Sequence, residues 1–206
     1  MSIEPAKTEG PTRAGRLIVV SGPSGTGKTT LVRRLLDRPD APARLSVSAT
    51  TRAPRPGEVD GREYFFLTRD AFAAARDRGD LLECAEVHGN WYGTPVRAVR
   101  EAVSGGACVI LEIDVQGGMQ VAAQFPETVL VFVNTADFAT LEARLRGRST
   151  EDEATILRRL ANARAEIDLA RDRYHHQIIN EDLDRAVDGL ANLLHRLGCG
   201  GPSRDA

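Results

Sequence analysis

At 206 residues, 42% of them hydrophobic and 27% charged, the chain suits one α/β domain with small insertions and has no need of a disulfide or metal framework. A formal net charge of −2 excludes a function built on electrostatic wrapping of nucleic acid or adhesion to an anionic membrane. No apolar run approaches bilayer-spanning length and the polar first fifteen residues lack a signal-peptide core, so a soluble cytoplasmic protein, monomer or homo-oligomer, is expected.

Residues 1–15 read as a disordered tail. Arg16 to Ser21 then reads as a short buried strand, and a glycine-rich turn leads into a helix that runs to about Asp37. Residues 44–94 change character. They hold alternating stretches, loops at Pro54-Arg-Pro-Gly and Asp60-Gly61, and one helix near 69–78, which together suggest an inserted lobe of mixed strands.

Pro95 suits the first turn of a helix reaching Val103. Ala107 to Leu111 reads as a second buried strand, followed by Glu112-Ile-Asp114 and a glycine pair, and Thr128 to Val133 as a third. A helix opened by Thr135 or Asp137 runs to about Arg146. A polar break at 147–152 precedes a long helix over 153–172, a short strand at 177–179 and a closing helix over 183–197. Residues 199–206 read as a frayed tail. Strands alternating with helices predict a parallel sheet covered on both faces.

The cysteines Cys84, Cys108 and Cys199 form no CxxC pair and no zinc-ligand spacing with the four histidines. They read as reduced thiols, with Cys108 a small core hydrophobe. The 27 basic residues comprise 25 arginines and only two lysines, Lys7 in the tail and Lys28. Position 28 is therefore an exception in a chain that otherwise uses arginine.

Gly22-Pro23-Ser24-Gly25-Thr26-Gly27-Lys28-Thr29 matches GxxxxGK[ST] between a buried strand and a helix, the context this phosphate loop requires. Its glycines let backbone N–H groups turn inward around phosphate oxygens at a helix N-terminus. Lys28 supplies a point charge for the β and γ phosphates and Thr29 a hydroxyl for Mg²⁺. Asp114-Val-Gln-Gly117 matches the DxxG of GTP switches, but no guanine-reading NKxD string accompanies it.

Within 46–66, Arg52 and Arg55 flank Pro54, which stiffens the turn. Two guanidinium groups on a stiff turn suit one phosphate, with the hydroxyls of Tyr64 and Tyr92 as further donors. Alone, the two arginines read as solvated loop residues. The full string SVSATTRAPRPGEVDGREYFF is more telling. With Gly22 to Thr30, Leu82-Glu83, Gly89 to Thr94 and Glu112 to Gly117, it resembles the guanylate kinases over residues 16–196.

The resemblance implies a P-loop NTPase three-layer parallel-sheet core (16–45, 95–146 and 166–198), a mixed GMP-binding lobe (46–94) and a helical lid (147–165). It implies transfer of the γ-phosphoryl group of MgATP to GMP, and to dGMP, giving ADP and GDP. It places Arg52, Arg55, Tyr64 and Tyr92 on the GMP phosphate, and Ser48, Glu83 and Thr94 on guanine. Arg144, Arg148 and Arg159 would neutralise the transferring phosphoryl group with Lys28, while Gly22 to Thr30 and Asn180 would face ATP. Glu112 and Asp114 stand on the GMP side, where many relatives have Asp-x-Asp, and one of them would organise Mg²⁺ with Thr29 through water. In the long helix, the apolar stripe Ile156, Leu160, Ala163, Ile167 and Ala170 sets the phase. At about 100° per residue, Arg159 lies about 60° from its centre and Arg158 about 160° away, so Arg159 is expected to face the site and Arg158 solvent.

Overall fold

The computed structural model describes residues 15–87, 89–147 and 152–200. In chain order its elements begin with β1 (Arg16–Ser21), α1 (Lys28–Leu36), β2 (Arg44–Leu45), β3 (Ser48–Thr50), β4 (Tyr64–Phe66) and α2 (Arg69–Asp77). They continue with β5 (Leu81–Val87), β6 (Asn90–Pro95), α3 (Val96–Ser104), β7 (Cys108–Glu112) and α4 (Val115–Gln124). The chain closes with β8 (Val129–Asn134), α5 (Phe138–Arg146), α6 (Glu153–Arg171), β9 (His176–Ile179) and α7 (Leu183–Arg196).

The core sheet has the order β2-β7-β1-β8-β9, and every pairing in it is parallel. Parallel strands need helical crossovers, which cover both faces and leave the strands apolar on both sides. Hence Ile18, Val20, Ile110, Val131 and Val133 pack toward α1 and α7, while Leu17, Val19, Val109, Leu111 and Leu130 pack toward α3 and α4. Burying a Leu, Ile or Val side chain contributes roughly 1.5–3 kcal/mol before conformational entropy is counted, so these two layers fix β1 at the centre. The phosphate loop springs from its C-terminal end.

A second, mixed sheet has the order β4-β3-β6-β5, with β3 parallel to β4 and antiparallel to β6. The alternating run from Leu45 divides between the sheets. Leu45 pairs with Ile110 of the core, whereas Ser48 opens β3 of the lobe opposite Tyr64.

Three features differ from the sequence reading. α4 was not foreseen, because Gly117 and Gly118 in its first turn weaken helical signal by roughly 1 kcal/mol each. The close packing explains them: a Cβ on Gly118 would lie 2.4 Å from the Tyr174 hydroxyl, and one on Gly117 3.1 Å from Glu83 Oε2. Second, Cys108 and Cys199 are not free thiols. They form a disulfide with Cα atoms 5.6 Å apart, buried between β7 and the residues after α7. Third, Cys199 is therefore part of the core rather than the start of a frayed tail. Thiol pairing across 91 residues leaves no local pattern in a sequence.

Candidate active site

Side chains cap five helices: Thr68 for α2, Asp114 for α4, Asp137 for α5, Asp152 for α6 and Asp182 for α7. α1 has no such cap. Its N-cap, Gly27, takes φ 81°, a left-handed conformation open to glycine and strained for other residues. A Cβ there would also lie 2.5 Å from the Asn180 amide nitrogen. The uncapped N–H groups of α1 are thus left for an anion, as a phosphate loop requires.

Buried contacts brace the loop from behind. Thr26 Oγ1 donates to the Pro23 carbonyl at 2.9 Å, and Asn180 Nδ2 donates to the Thr26 carbonyl at 2.7 Å. Arg144 Nη2 donates to the Asn180 carbonyl at 2.9 Å. Asn180 and Arg144 therefore form one chain from α5 through the β9–α7 junction to the loop backbone. Lys28 Nζ folds back to donate to the Gly22 carbonyl at 3.1 Å.

A cleft of about 1060 Å³ opens over this loop. Gly22 to Gly25 and Gly27 to Thr30 border it on one side, Cys84 to Val87 and Trp91 of the lobe on another, and Asp114 at its floor. The remaining wall is α6, through Arg158, Arg159, Asn162, Ala165, Glu166 and Leu169. Arg159 stands on the cleft, as the helix phase required. Arg158, expected to face solvent, is exposed but borders the cleft as well. The reason is the packing partner of α6: Ile156, Leu160 and Ala163 pack on Leu141 and Leu145 of α5, so the direction away from that stripe is not the direction away from the cleft. Arg148 lies outside the described residues.

The two carboxylates after β7 part company. Thr29 Oγ1 donates a short hydrogen bond to Glu112 Oε1. Asp114 instead caps α4, its Oδ1 accepting from Gly117 N at 2.7 Å. A threonine hydroxyl beside a carboxylate at the phosphate loop is a hard-oxygen pair suited to Mg²⁺. Among the described residues no group of three or more His, Cys, Asp or Glu makes a cage of its own. The donor set therefore fits an ion that brings phosphate and water ligands with it.

Glu83 is 7% exposed and accepts from Thr94 Oγ1 at 2.8 Å. Burial pushes its pKa up to about 7, the Thr94 hydrogen bond opposes the rise, and the Asp114 charge adds to it. Ser48 lies on β3, at the same end of the lobe sheet as Tyr64.

Arg52, Tyr64 and Tyr92 form a second cluster that does not border the large cleft. Arg52 Nη2 donates to Glu58 Oε1 at 2.9 Å, and Arg55 N to Glu58 Oε2 at 2.7 Å. The Arg52 guanidinium lies 5.5 Å from the Tyr64 ring centroid, and Tyr64 meets Tyr92 edge-on at 6.0 Å. The hydrogen bond and charge of Arg52 hold Glu58 below the usual carboxylate range. Glu58 is thus the brace of the arginine turn, taking the Arg52 guanidinium on one oxygen and the Arg55 backbone N–H on the other, a role its place after Pro56-Gly57 does not signal. Gln116, Gln120, Asn162 and Glu166 were likewise not singled out, since a polar residue on a helix reads by default as solvated.

The Guanylate kinase family pattern matches residues 14–197. Guanylate kinase of Rubrobacter xylanophilus is 48% identical over 189 residues, 92% of this chain and 98% of that protein. The Nitratidesulfovibrio vulgaris enzyme of the same name is 51% identical over 178 residues, 86% and 85% of the two chains. A solved guanylate kinase from Anaplasma phagocytophilum superposes with TM-score 0.71 at 31% identity, covering 89% of this chain and 86% of its own. With a phosphate loop, a lobe and an arginine-bearing helix around one cleft, a glutamate buried within that lobe, and relatives matched nearly end to end, the chain belongs to the guanylate kinase family.

Proposed function

We propose that the protein transfers the γ-phosphoryl group of ATP to GMP, the reaction of its family, with dGMP as an alternative acceptor. One observation carries the acceptor reading: Glu83 is a buried carboxylate whose hydrogen bonds come from Thr94 and not from a cation. Guanine presents N1–H and N2–H₂ as parallel donors, which an ionised carboxylate accepts together. Adenine presents an acceptor at N1 and would leave the charge unpaired, a mismatch worth roughly 10⁴-fold in comparable sites.

The donor phosphates sit on the backbone N–H groups that the loop from Ser24 to Thr30 leaves unpaired, with Lys28 and Arg159 as counter-charges. Arg144 lies beneath the loop and, with Asn180, shapes its backbone. Arg52, its guanidinium held by Glu58, and Arg55, its backbone N–H on the same carboxylate, bind the acceptor phosphate with Tyr64 and Tyr92, while Ser48, Glu83 and Thr94 hold the base. The acceptor oxygen is already an oxyanion near neutral pH, so no general base is needed; alignment and charge neutralisation do the work. Thr29 and Glu112 would hold a Mg²⁺ ion there, and the ion would supply further neutralisation of the phosphates. Closure of α6 over the cleft excludes water that would hydrolyse ATP.

No helix among the described residues is long and apolar enough to cross a membrane, in keeping with a reaction between soluble nucleotides. ADP release measured with ATP and each of GMP, AMP, CMP and UMP tests the assignment. Turnover confined to GMP is expected, and comparable turnover with AMP would refute it.

A further inference from the structure

The α6 wall of the cleft carries a carboxylate that the phosphoryl-transfer reading leaves without a task. Glu166 lies seven residues, two helical turns, after Arg159, so both project from one side of α6 and both border the cleft facing the phosphate loop. It is half-buried, and no described residue hydrogen-bonds to it. Burial raises its pKa, the charge of Lys28 acts against that rise, and the charge of Asp114 reinforces it. A carboxylate kept partly out of water without a donor is costly unless a cation meets it during the working cycle. The transfer itself has no use for it as a base, because the acceptor oxygen arrives deprotonated. Facing donor phosphates directly, it would only repel them.

The cation whose charge reaches Glu166 across the cleft is that of Lys28. An ammonium group has three N–H donors in tetrahedral arrangement. One of those on Lys28 goes to the Gly22 carbonyl at 3.1 Å, on the loop side. We propose that Glu166 is a positioning residue for Lys28: as α6 closes on the nucleotide, its carboxylate accepts a second N–H from across the cleft, which leaves the third aimed at the β and γ phosphate oxygens. The flexible four-carbon stem of lysine is then fixed at both sides by acceptors on separate elements. α6 is continuous from Glu153 to Arg171, past the 147–165 bounds expected for the lid, so the closure that brings Arg159 to the phosphoryl group also brings Glu166 to Lys28.

The inference rests on the phosphoryl-transfer reading, and wild-type turnover with GMP in the same assay checks that reading separately. The test compares Glu166→Gln and Glu166→Ala with Asp168→Asn, an exposed carboxylate on the same helix that pairs with Arg171. Steady-state kinetics in both substrates is one readout. The other is acylation of Lys28 by acetic anhydride at one fixed pH, with a non-hydrolysable ATP analogue absent or present. Lys7 is the chain's other lysine and serves as internal reference by mass spectrometry.

We expect Glu166→Gln to lower kcat on the order of 10-fold and Glu166→Ala at least as much, with KM for GMP nearly unchanged. The Lys28 to Lys7 acylation ratio should rise severalfold in both variants, since the amine is then held only from the Gly22 side and its flexible stem is free to present it to the reagent. Asp168→Asn should change neither readout. Wild-type kcat in Glu166→Gln overturns the proposal. So does a kcat loss with an unchanged acylation ratio, which would mean that Glu166 acts elsewhere than on Lys28. A rise in KM for GMP alone would likewise overturn it by moving Glu166 to the acceptor.

Discussion

Replacing Glu83 by glutamine should make the protein more stable and less active, and the gain in stability should depend on pH. Burial moves this carboxyl from 4.5 to about 7 in the folded chain. The folded state therefore binds the proton more tightly than the unfolded state. The stabilising contribution of that proton is complete below pH 4.5 and is lost as pH rises through about 7. At 1.36 kcal/mol per pKa unit, ionised Glu83 costs the empty protein about 3 kcal/mol. Glutamine keeps the shape and an acceptor for Thr94 but never ionises. In thermal and urea unfolding, Glu83→Gln should exceed wild type by about 3 kcal/mol near pH 8.5, a shift of roughly 6–12 °C in Tm for a chain this size.

The gap should close near pH 5, roughly where the unfolded chain begins to protonate its own carboxylates. Saturating GMP should narrow it as well, because its paired donors meet the wild-type charge. GMP affinity of wild type relative to the variant should fall by up to about tenfold per pH unit below 7; the ratio cancels titration of the nucleotide's own phosphate. A stability gap equal at both pH values would refute the account, showing that the carboxylate is solvated or paired by another donor.

Arg159→Ala should lower kcat on the order of 10²-fold with little change in either KM, as for a charge that matters chiefly in the transition state. Arg158→Ala should cost less and act mainly on KM for ATP; a larger kcat loss for Arg158 would reverse the assignment. Glu112→Gln should raise the Mg²⁺ concentration for half-maximal rate severalfold, whereas Asp114→Asn should leave that midpoint in place, asparagine being as good a cap for α4 as aspartate. A shifted midpoint for Asp114→Asn alone would exchange their roles. Cys199→Ser should lower stability by about 2–4 kcal/mol under oxidising conditions. Thiol titration of the denatured, unreduced wild type should find Cys84 alone, and three thiols before reduction would contradict the bond.

The core strands and the phosphate loop were legible because they rest on local rules. A β-branched run, a glycine-rich turn and a helix start each leave a contiguous trace. The long helix announced itself through its apolar stripe, and the phase of that stripe placed Arg159 on the cleft. Arg158 misled for a physical reason: a stripe tells which side is buried, not what lies beside it, and α6 packs on α5 by one face while the cleft borders another. α4 hid behind two glycines whose purpose, clearance for Tyr174 and Glu83, is tertiary. Asn180 matched an expected nucleotide contact, yet its amide nitrogen is engaged with the Thr26 carbonyl of the loop. Glu112 and Asp114 were interchangeable in sequence and differ in space, because only Asp114 stands at the N-terminus of a helix that needs a cap.

The bond between Cys108 and Cys199 turns everything from β7 onward into a covalent ring. β8, α5, α6, β9 and α7 all lie inside it, and with them Asp114, Arg159 and Asn180. A single protease cut anywhere in that span opens the ring without dividing the molecule. The nicked protein keeps one mass, raised only by the added water, until a reductant releases the two pieces. Gel migration with and without reductant after limited digestion would therefore map whether a cleavage falls before Cys108 or within the ring, and the two halves of the cleft would survive such a nick as one particle.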